Sequence, residues 1–249
     1  MNVKKRAVSD KRMPVFYCIG NSLLLHRKFF VLRRYILIDG LIWKFVGSIK
    51  GLSVMECIYN RRSIRKYKNE MPDMKKIEKI LDAARVAPSG KNRQPWKFIV
   101  YGGEKKSDIL KEMRKGIKRE LKAPVFKDSK RLLPDADNTL RIMMKAPIVV
   151  FVFNTNGKSP MEHIDTDERF AEICDSLSIG AAIENMLLEA QELGIGSLWI
   201  GNTCFAYNEL VDYIGEKGQL IGAVALGIAD EEPKVRPRKK IEDIVKYFL

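Results

Sequence analysis

Arg61-Arg62-Ser63-Ile64-Arg65-Lys66-Tyr67 packs three arginines, a lysine and a hydroxyl into seven residues, just after a short apolar turn of helix (Val54, Met55, Ile58, Tyr59). Arginine presents a planar fork of donors that matches phosphate oxygens, and serine adds a further donor at short range. Composition alone leaves two readings of such a cluster, a solvated basic surface or a socket for an anion. A second segment bears on the choice: Ala87-Pro88-Ser89-Gly90-Lys91-Asn92-Arg93-Gln94-Pro95-Trp96-Lys97-Phe98.

Together the two segments resemble the FMN-dependent nitroreductase family, and the resemblance runs from about Met55 to the C-terminus. In that family an Arg-Arg-Ser-x-Arg opening grips the flavin phosphate, and a Pro-Ser-x-x-Asn-x-Gln-Pro-Trp loop touches the same flavin from the other subunit. The resemblance implies an α+β fold: a three-layer α/β/α sandwich with a central mixed, mainly antiparallel sheet, built as an intertwined homodimer. It assigns the phosphate to Arg61, Arg62, Ser63 and Arg65, together with the C-terminal basic pair Arg238 and Lys239. Pro88, Ser89, Gly90 and Asn92 cover the ring from the opposite subunit, while Trp199, Ile200, Gly201 and Asn202 lie beside its reactive nitrogen. Asn138 or Arg141 serves as a further polar contact to the ring. Better-known bacterial members carry a glutamate where this chain has Gly201, which keeps the backbone donor, removes a charge and leaves acceptor preference open.

The implied activity is FMN-dependent NAD(P)H oxidoreduction, with NADH or NADPH as reductant and a nitroaromatic, quinone or similar small molecule as acceptor. The chemistry is carried by the cofactor, so no catalytic side chain and no metal ligand is expected. Another flavin enzyme of the same fold, such as an enone reductase or a dehalogenase, is the nearest alternative. A basic protein that binds nucleic acid or a membrane is the rival from a different class. Aromatic residues interleaved at base-stacking spacing would support that rival, and the sequence has none.

The whole chain sets bounds on these readings. Its 249 residues are 46% hydrophobic and 31% charged, which suits a folded domain with a sizeable core. The formal charge of +14 is uneven: residues 1–54 hold 11 Lys and Arg against 2 Asp and Glu. Most of the imbalance therefore belongs to a basic N-terminal extension, 1–54, and not to the domain over 55–249. Cys18, Cys57, Cys174 and Cys204 lie far apart and only two histidines are present, so neither a zinc site nor a disulfide framework is indicated. Reduced thiols and a cytoplasmic location are the expectation.

Within residues 1–54, Met13 to Leu25 is too short for a membrane span, and Phe29 to Ile49 carries too many charges for one. The latter reads as a basic amphipathic helix that could lie on an anionic membrane surface. The other expectation is translation from Met55, because Lys50-Gly51 codons can carry a purine-rich ribosome-binding sequence.

Periodicity places helices over about 71–87, 104–121, 167–193 and 207–214, and strands over 97–101, 147–153, 194–201 and 220–228. Ala123 to Asn138, with Pro124 and Pro134, reads as a mobile excursion over a site. Asp165, Asp167, Glu168, Glu172 and Asp175 read as N-terminal charges that face a helix dipole. The helix over 167–193 is apolar around much of its girth, as expected either of one packed against a partner helix from another subunit or of an ordinary core helix.

Overall fold

The computed structural model describes residues 54–249 and, before them, the backbone of 30–32, 35–38 and 41–44. The chain divides into two units, residues 1–50 and 51–249. In the first unit three short strands, β1 (Phe30–Leu32), β2 (Tyr35–Ile38) and β3 (Leu41–Lys44), form an antiparallel meander. This corrects the amphipathic helix expected over Phe29 to Ile49. Met13 to Leu25 and the candidate ribosome-binding codons at Lys50-Gly51 lie outside the described residues.

The second unit is organised by β5 (Ile148–Asn154), a run of β-branched and aromatic residues that is buried along its whole length. Alternate side chains of a strand point to opposite faces. Val149, Phe151 and Phe153 therefore enter one core while Ile148, Val150 and Val152 enter another. A strand apolar on both faces must be covered on both, and here it is. The first core is closed by α3 (Gly103–Lys122), α4 (Ser129–Lys145) and α6 (Tyr207–Ile214). The second is closed by α2 (Met74–Arg85) and α5 (Thr166–Glu192). The result is a three-layer α/β/α sandwich.

The sheet order is β4-β5-β7-β6, with β4 (Trp96–Gly102), β6 (Gly196–Ile200) and β7 (Gln219–Gly227), and each of these pairs is antiparallel. Parallel character enters through one bridge, Ser63 to Ser197, where the Ile64 amide donates to the Ser197 carbonyl at 2.9 Å. The segment after α1 (Val54–Asn60) thus runs along the outer edge of β6 and satisfies backbone groups that an edge strand would leave open.

The helix ends follow local chemistry. Asp73 caps α2 by accepting from the Lys75 amide at 3.0 Å. Asp165 and Glu168 form a reciprocal capping box at the start of α5 as expected, whereas Asp175 and Glu172 of the same acidic group pair with Arg93 and Gln219 instead. The 27 residues of α5 make it about 40 Å long.

The excursion expected over 123–138 is mostly helix. Leu133, Ala136, Leu140 and Met143 recur at helical spacing and are buried, and this stripe holds α4 against the sheet. The turn before it is fastened by buried Glu120, which accepts from the Val125 and Phe126 amides at 2.7 and 2.9 Å and from the Ser129 hydroxyl. At the C-terminus, Ile241–Asp243 form only a short 3-10 turn, and Ile244, Tyr247 and Phe248 are exposed. Among the described residues no helix is long and apolar enough to cross a membrane.

Candidate functional site

The arginine cluster is placed by its uncharged members. The Arg61 amide closes the last turn of α1 on the Cys57 carbonyl at 2.9 Å. Ile64 is then buried against Gly196, where a Cβ would lie only 3.0 Å from its side chain. Tyr67 is buried as well, and its hydroxyl donates to the Ile64 carbonyl at 2.8 Å. With those two side chains turned inward, Arg61, Arg62, Ser63 and Arg65 line a cavity of about 700 Å³.

The other wall of that cavity comes from the far end of the chain. Beyond β7, Ala229 bridges Tyr67, the Asp230 amide donates to the Lys66 carbonyl at 3.0 Å, and the Glu231 carboxylate accepts from the Arg65 and Lys66 amides. This short ladder sets residues 233–238 opposite the arginines. Lys234, Arg236 and Arg238 line the cavity with them, whereas Lys239 is not among the lining residues. Six cations thus surround one space, and none of the residues lining it is acidic. Lys234 is not singled out in the sequence, and Arg236 reads as part of the C-terminal basic cluster with Arg238, Lys239 and Lys240 without being assigned to the phosphate.

Several of these cations have donors to spare. Arg62 uses one nitrogen on the carbonyls of Tyr59 and Arg61, at 2.8 and 2.9 Å. Arg65 donates to the Ser63 carbonyl at 3.1 Å. Arg61 Nε is buried 3.4 Å from a Glu184 oxygen without hydrogen-bond alignment, so that N–H has no acceptor. A buried donor left so costs about 1–3 kcal/mol.

The second predicted segment, residues 88–95, does not line the arginine cavity of its own chain. It is a loop with a short 3-10 turn at Gly90–Asn92, and Lys91, Asn92 and Gln94 all have positive φ (54°, 55° and 48°). Each such residue stores roughly 1–3 kcal/mol, and strain of this kind gathers at functional sites. The loop is held mainly by α5. Arg93 pairs with buried Asp175 at 2.6 Å, the Gly90 amide donates to Ser178 Oγ at 3.3 Å, and Ser89 Oγ accepts from the Gln94 amide at 3.0 Å.

The third segment ends β6. Trp199 is half exposed, Ile200 is buried, and Gly201 faces open space. Asn202 donates to Asp135 and Thr139 of α4, both at 2.8 Å. Asn138 and Arg141 line a different cavity, which shares Arg65 with the first. His163 is exposed.

An apolar surface remains. Phe170, Ile173 and Leu177 recur along one stripe of α5 with Phe170 and Leu177 66% and 71% exposed, and Met55, Ile58 and Tyr59 of α1 are exposed as well. Exposed apolar surface of this kind occurs at protein interfaces, membrane contacts and ligand grooves.

The chain matches the model of the Nitroreductase family over residues 58–228. It is 35% identical over 147 residues to an Archaeoglobus fulgidus protein that carries the provisional name NADH dehydrogenase/NAD(P)H nitroreductase, covering 59% of this chain and 66% of that one. A BluB-like flavoprotein from Clostridium difficile superposes with a TM-score of 0.64 at 32% identity, over 80% of this chain and all of that one. A nitroreductase-like protein from Desulfovibrio desulfuricans, crystallised with FMN, gives a TM-score of 0.57 at 25% identity over 79% of this chain and 97% of that one.

Proposed function

The chain belongs to the nitroreductase family, and on that premise we propose that it is a homodimeric FMN-dependent NAD(P)H oxidoreductase acting on nitroaromatics, quinones or similar acceptors. One observation carries the reading: Arg61 and Arg238, 177 positions apart in the sequence, line the same cavity. Residues 55–249 form the flavin domain, and residues 1–54 are a basic extension outside it.

The residues fit the cofactor. A phosphate monoester carries about −1.5 to −2 charges, more than one arginine neutralises. Arg61, Arg62, Ser63, Arg65 and Arg238 would hold it, with Lys234 and Arg236 beside them. The unaccepted Arg61 Nε–H is the donor such a group would satisfy. Lys239, which the resemblance pairs with Arg238, is not among the residues that line the cavity.

Hydrogen bonds to charged groups contribute roughly 1.5–3 kcal/mol each, so three or four give on the order of 5–10. Micromolar binding needs about 8 kcal/mol net, after entropy has been charged. Burial of the ring must supply the remainder. The exposed stripe on α5 and the strained loop over Pro88, Ser89, Gly90 and Asn92 support a subunit interface as the place where that burial occurs.

Bound FMN supplies hydride transfer between the nicotinamide and the acceptor. The chain's own work is to bind and orient. The end of β6 (Trp199, Ile200, Gly201) would supply backbone donors to the ring, with open space at Gly201 for an acceptor. In the proposed homodimer the α5-anchored loop of the opposite subunit would exclude water from the ring.

The test is direct. Purified protein should be yellow and should bleach with NADH or NADPH under anaerobic conditions. Arg61→Ala/Arg238→Ala should lose FMN while keeping its fold. A colourless wild type that fails to take up FMN would end the proposal.

A further inference from the structure

The cavity that shares Arg65 with the phosphate cavity has an unusual lining. It measures about 700 Å³ and brings together Arg65, Lys66, Arg114, Arg141 and Lys145. These come from three separate pieces of chain: the arginine segment, α3 and α4. Their convergence is therefore a product of the fold and not the solvated face of a single helix. The acid in the lining, Glu231, already accepts from the Arg65 and Lys66 amides. Arg141 pairs with Asp137 one turn away. Arg114 spends an N–H on the Met144 thioether at 3.0 Å, a weak acceptor. Among the described residues neither Lys66 nor Lys145 has an ion-pair partner.

Such a group of cations repels itself and concentrates anions from solution. The shape and lining narrow what would settle there. A concave space suits a small molecule, and the absence of aromatic residues from the lining gives bases nothing to stack on. Its junction with the first cavity through Arg65 puts an occupant beside the phosphate end of the proposed flavin site.

We propose that this second cavity docks the anionic end of a substrate of the flavin site, a phosphate or carboxylate carried by the nicotinamide nucleotide or by the acceptor. The inference rests on the flavin reading and specifies its substrate class: charge-bearing in preference to neutral. The binding energy falls on a part of the substrate remote from the reacting atoms, so its loss should raise KM and leave kcat unchanged.

The test uses FMN-saturated protein, in which the first cavity is filled, and the variant Arg114→Ala/Lys145→Ala, whose two side chains are exposed and lie outside the proposed flavin grip. Calorimetric titration with inorganic pyrophosphate should show binding to wild type that is weaker in the variant by about tenfold or more. Two kinetic ratios then identify the source of the charge. If the anion is the extra phosphate of the nucleotide, the variant's KM rises for NADPH relative to NADH. If it is the acceptor's carboxylate, KM rises for 4-nitrobenzoate relative to nitrobenzene. Either shift, at unchanged kcat, supports the docking role. Unchanged pyrophosphate affinity, or both KM ratios unmoved, overturns it. A wild type that takes up no FMN overturns both readings, and flavin content measured before any titration tells that failure apart.

Discussion

The ion pair between Arg93 and Asp175 gives a prediction whose sign is set by unequal burial. The Asp175 side chain is 2% exposed and the Arg93 side chain 36%. The carboxylate accepts from Arg93 at 2.6 Å and, on its other oxygen, from Asn156 Nδ2 at 3.2 Å. In Asp175→Asn the arginine turns to water that it already meets. The cost is one charge-assisted hydrogen bond, roughly 1.5–3 kcal/mol before solvent screening and about 1–2 after it. In Arg93→Ala the carboxylate stays buried with one neutral donor, and removal of one partner from a buried pair costs about 3–5 kcal/mol. Arg93→Ala should therefore be the more damaging by about 2 kcal/mol, and the double variant should be more stable than Arg93→Ala alone. Urea unfolding of all four proteins at one protein concentration measures this. The pair also holds the loop in which Lys91, Asn92 and Gln94 keep positive φ, a strain of order 3–9 kcal/mol in all. Arg93→Ala should accordingly release FMN more readily than Asp175→Asn. Equal costs, or a larger cost for Asp175→Asn, would refute the reasoning from burial.

Other consequences are more local. Gly116 lies where α3 crosses the 3-10 turn Asn202–Ala206, and a Cβ there would sit 2.3 Å from Ala206 Cβ and 2.5 Å from its Cα. Alanine raises helix propensity by about 1 kcal/mol, but overpacking of about 1–3 kcal/mol works against it; Gly116→Ala should lower the melting temperature. Burial pushes the Glu120 carboxyl up, yet bonds from Ser129, the Phe126 and Val125 amides and Arg119 more than offset this and leave it below its ordinary 4.5. A carboxyl depressed in the folded state contributes stability above its unfolded value, and that stability is lost as pH falls through the folded one. Amide exchange over 123–129 should therefore speed up as pH drops below about 4.5, relative to the intrinsic rate. Glu120→Gln should remove that acid dependence, and an unchanged profile in the variant would assign it to another group. Glu231→Ala should unfasten the Arg65 and Lys66 amides and weaken FMN binding without removing a cation, as a flavin titration would show.

What the sequence made legible was whatever one segment specifies by itself. The β5 run, the α5 girth, the Asp165–Glu168 cap and the bounds of α6 all rest on contacts within a few residues. The 123–138 stretch misled because prolines were weighed above spacing. Pro134 lies inside α4, but it is exposed, so the carbonyl it cannot satisfy remains open to water, and the buried stripe on the other side of the helix prevails. Which of the C-terminal cations line the cavity was not legible for a different reason. Residues 229–238 have no periodicity, and which of them face the arginines is fixed by the register of Tyr67 on Ala229 and of Lys66 on Asp230.

That register also explains how so much like charge can gather around one space. Six cations cannot hold themselves together, and they have no need to. Two buried side chains, Ile64 and Tyr67, and a few uncharged backbone bonds impose the arrangement, and the repulsion is charged against the stability of the fold. A phosphate that enters the cavity releases that repulsion. The charge cluster is therefore best read as binding energy stored in the folded chain and recovered when the anion arrives.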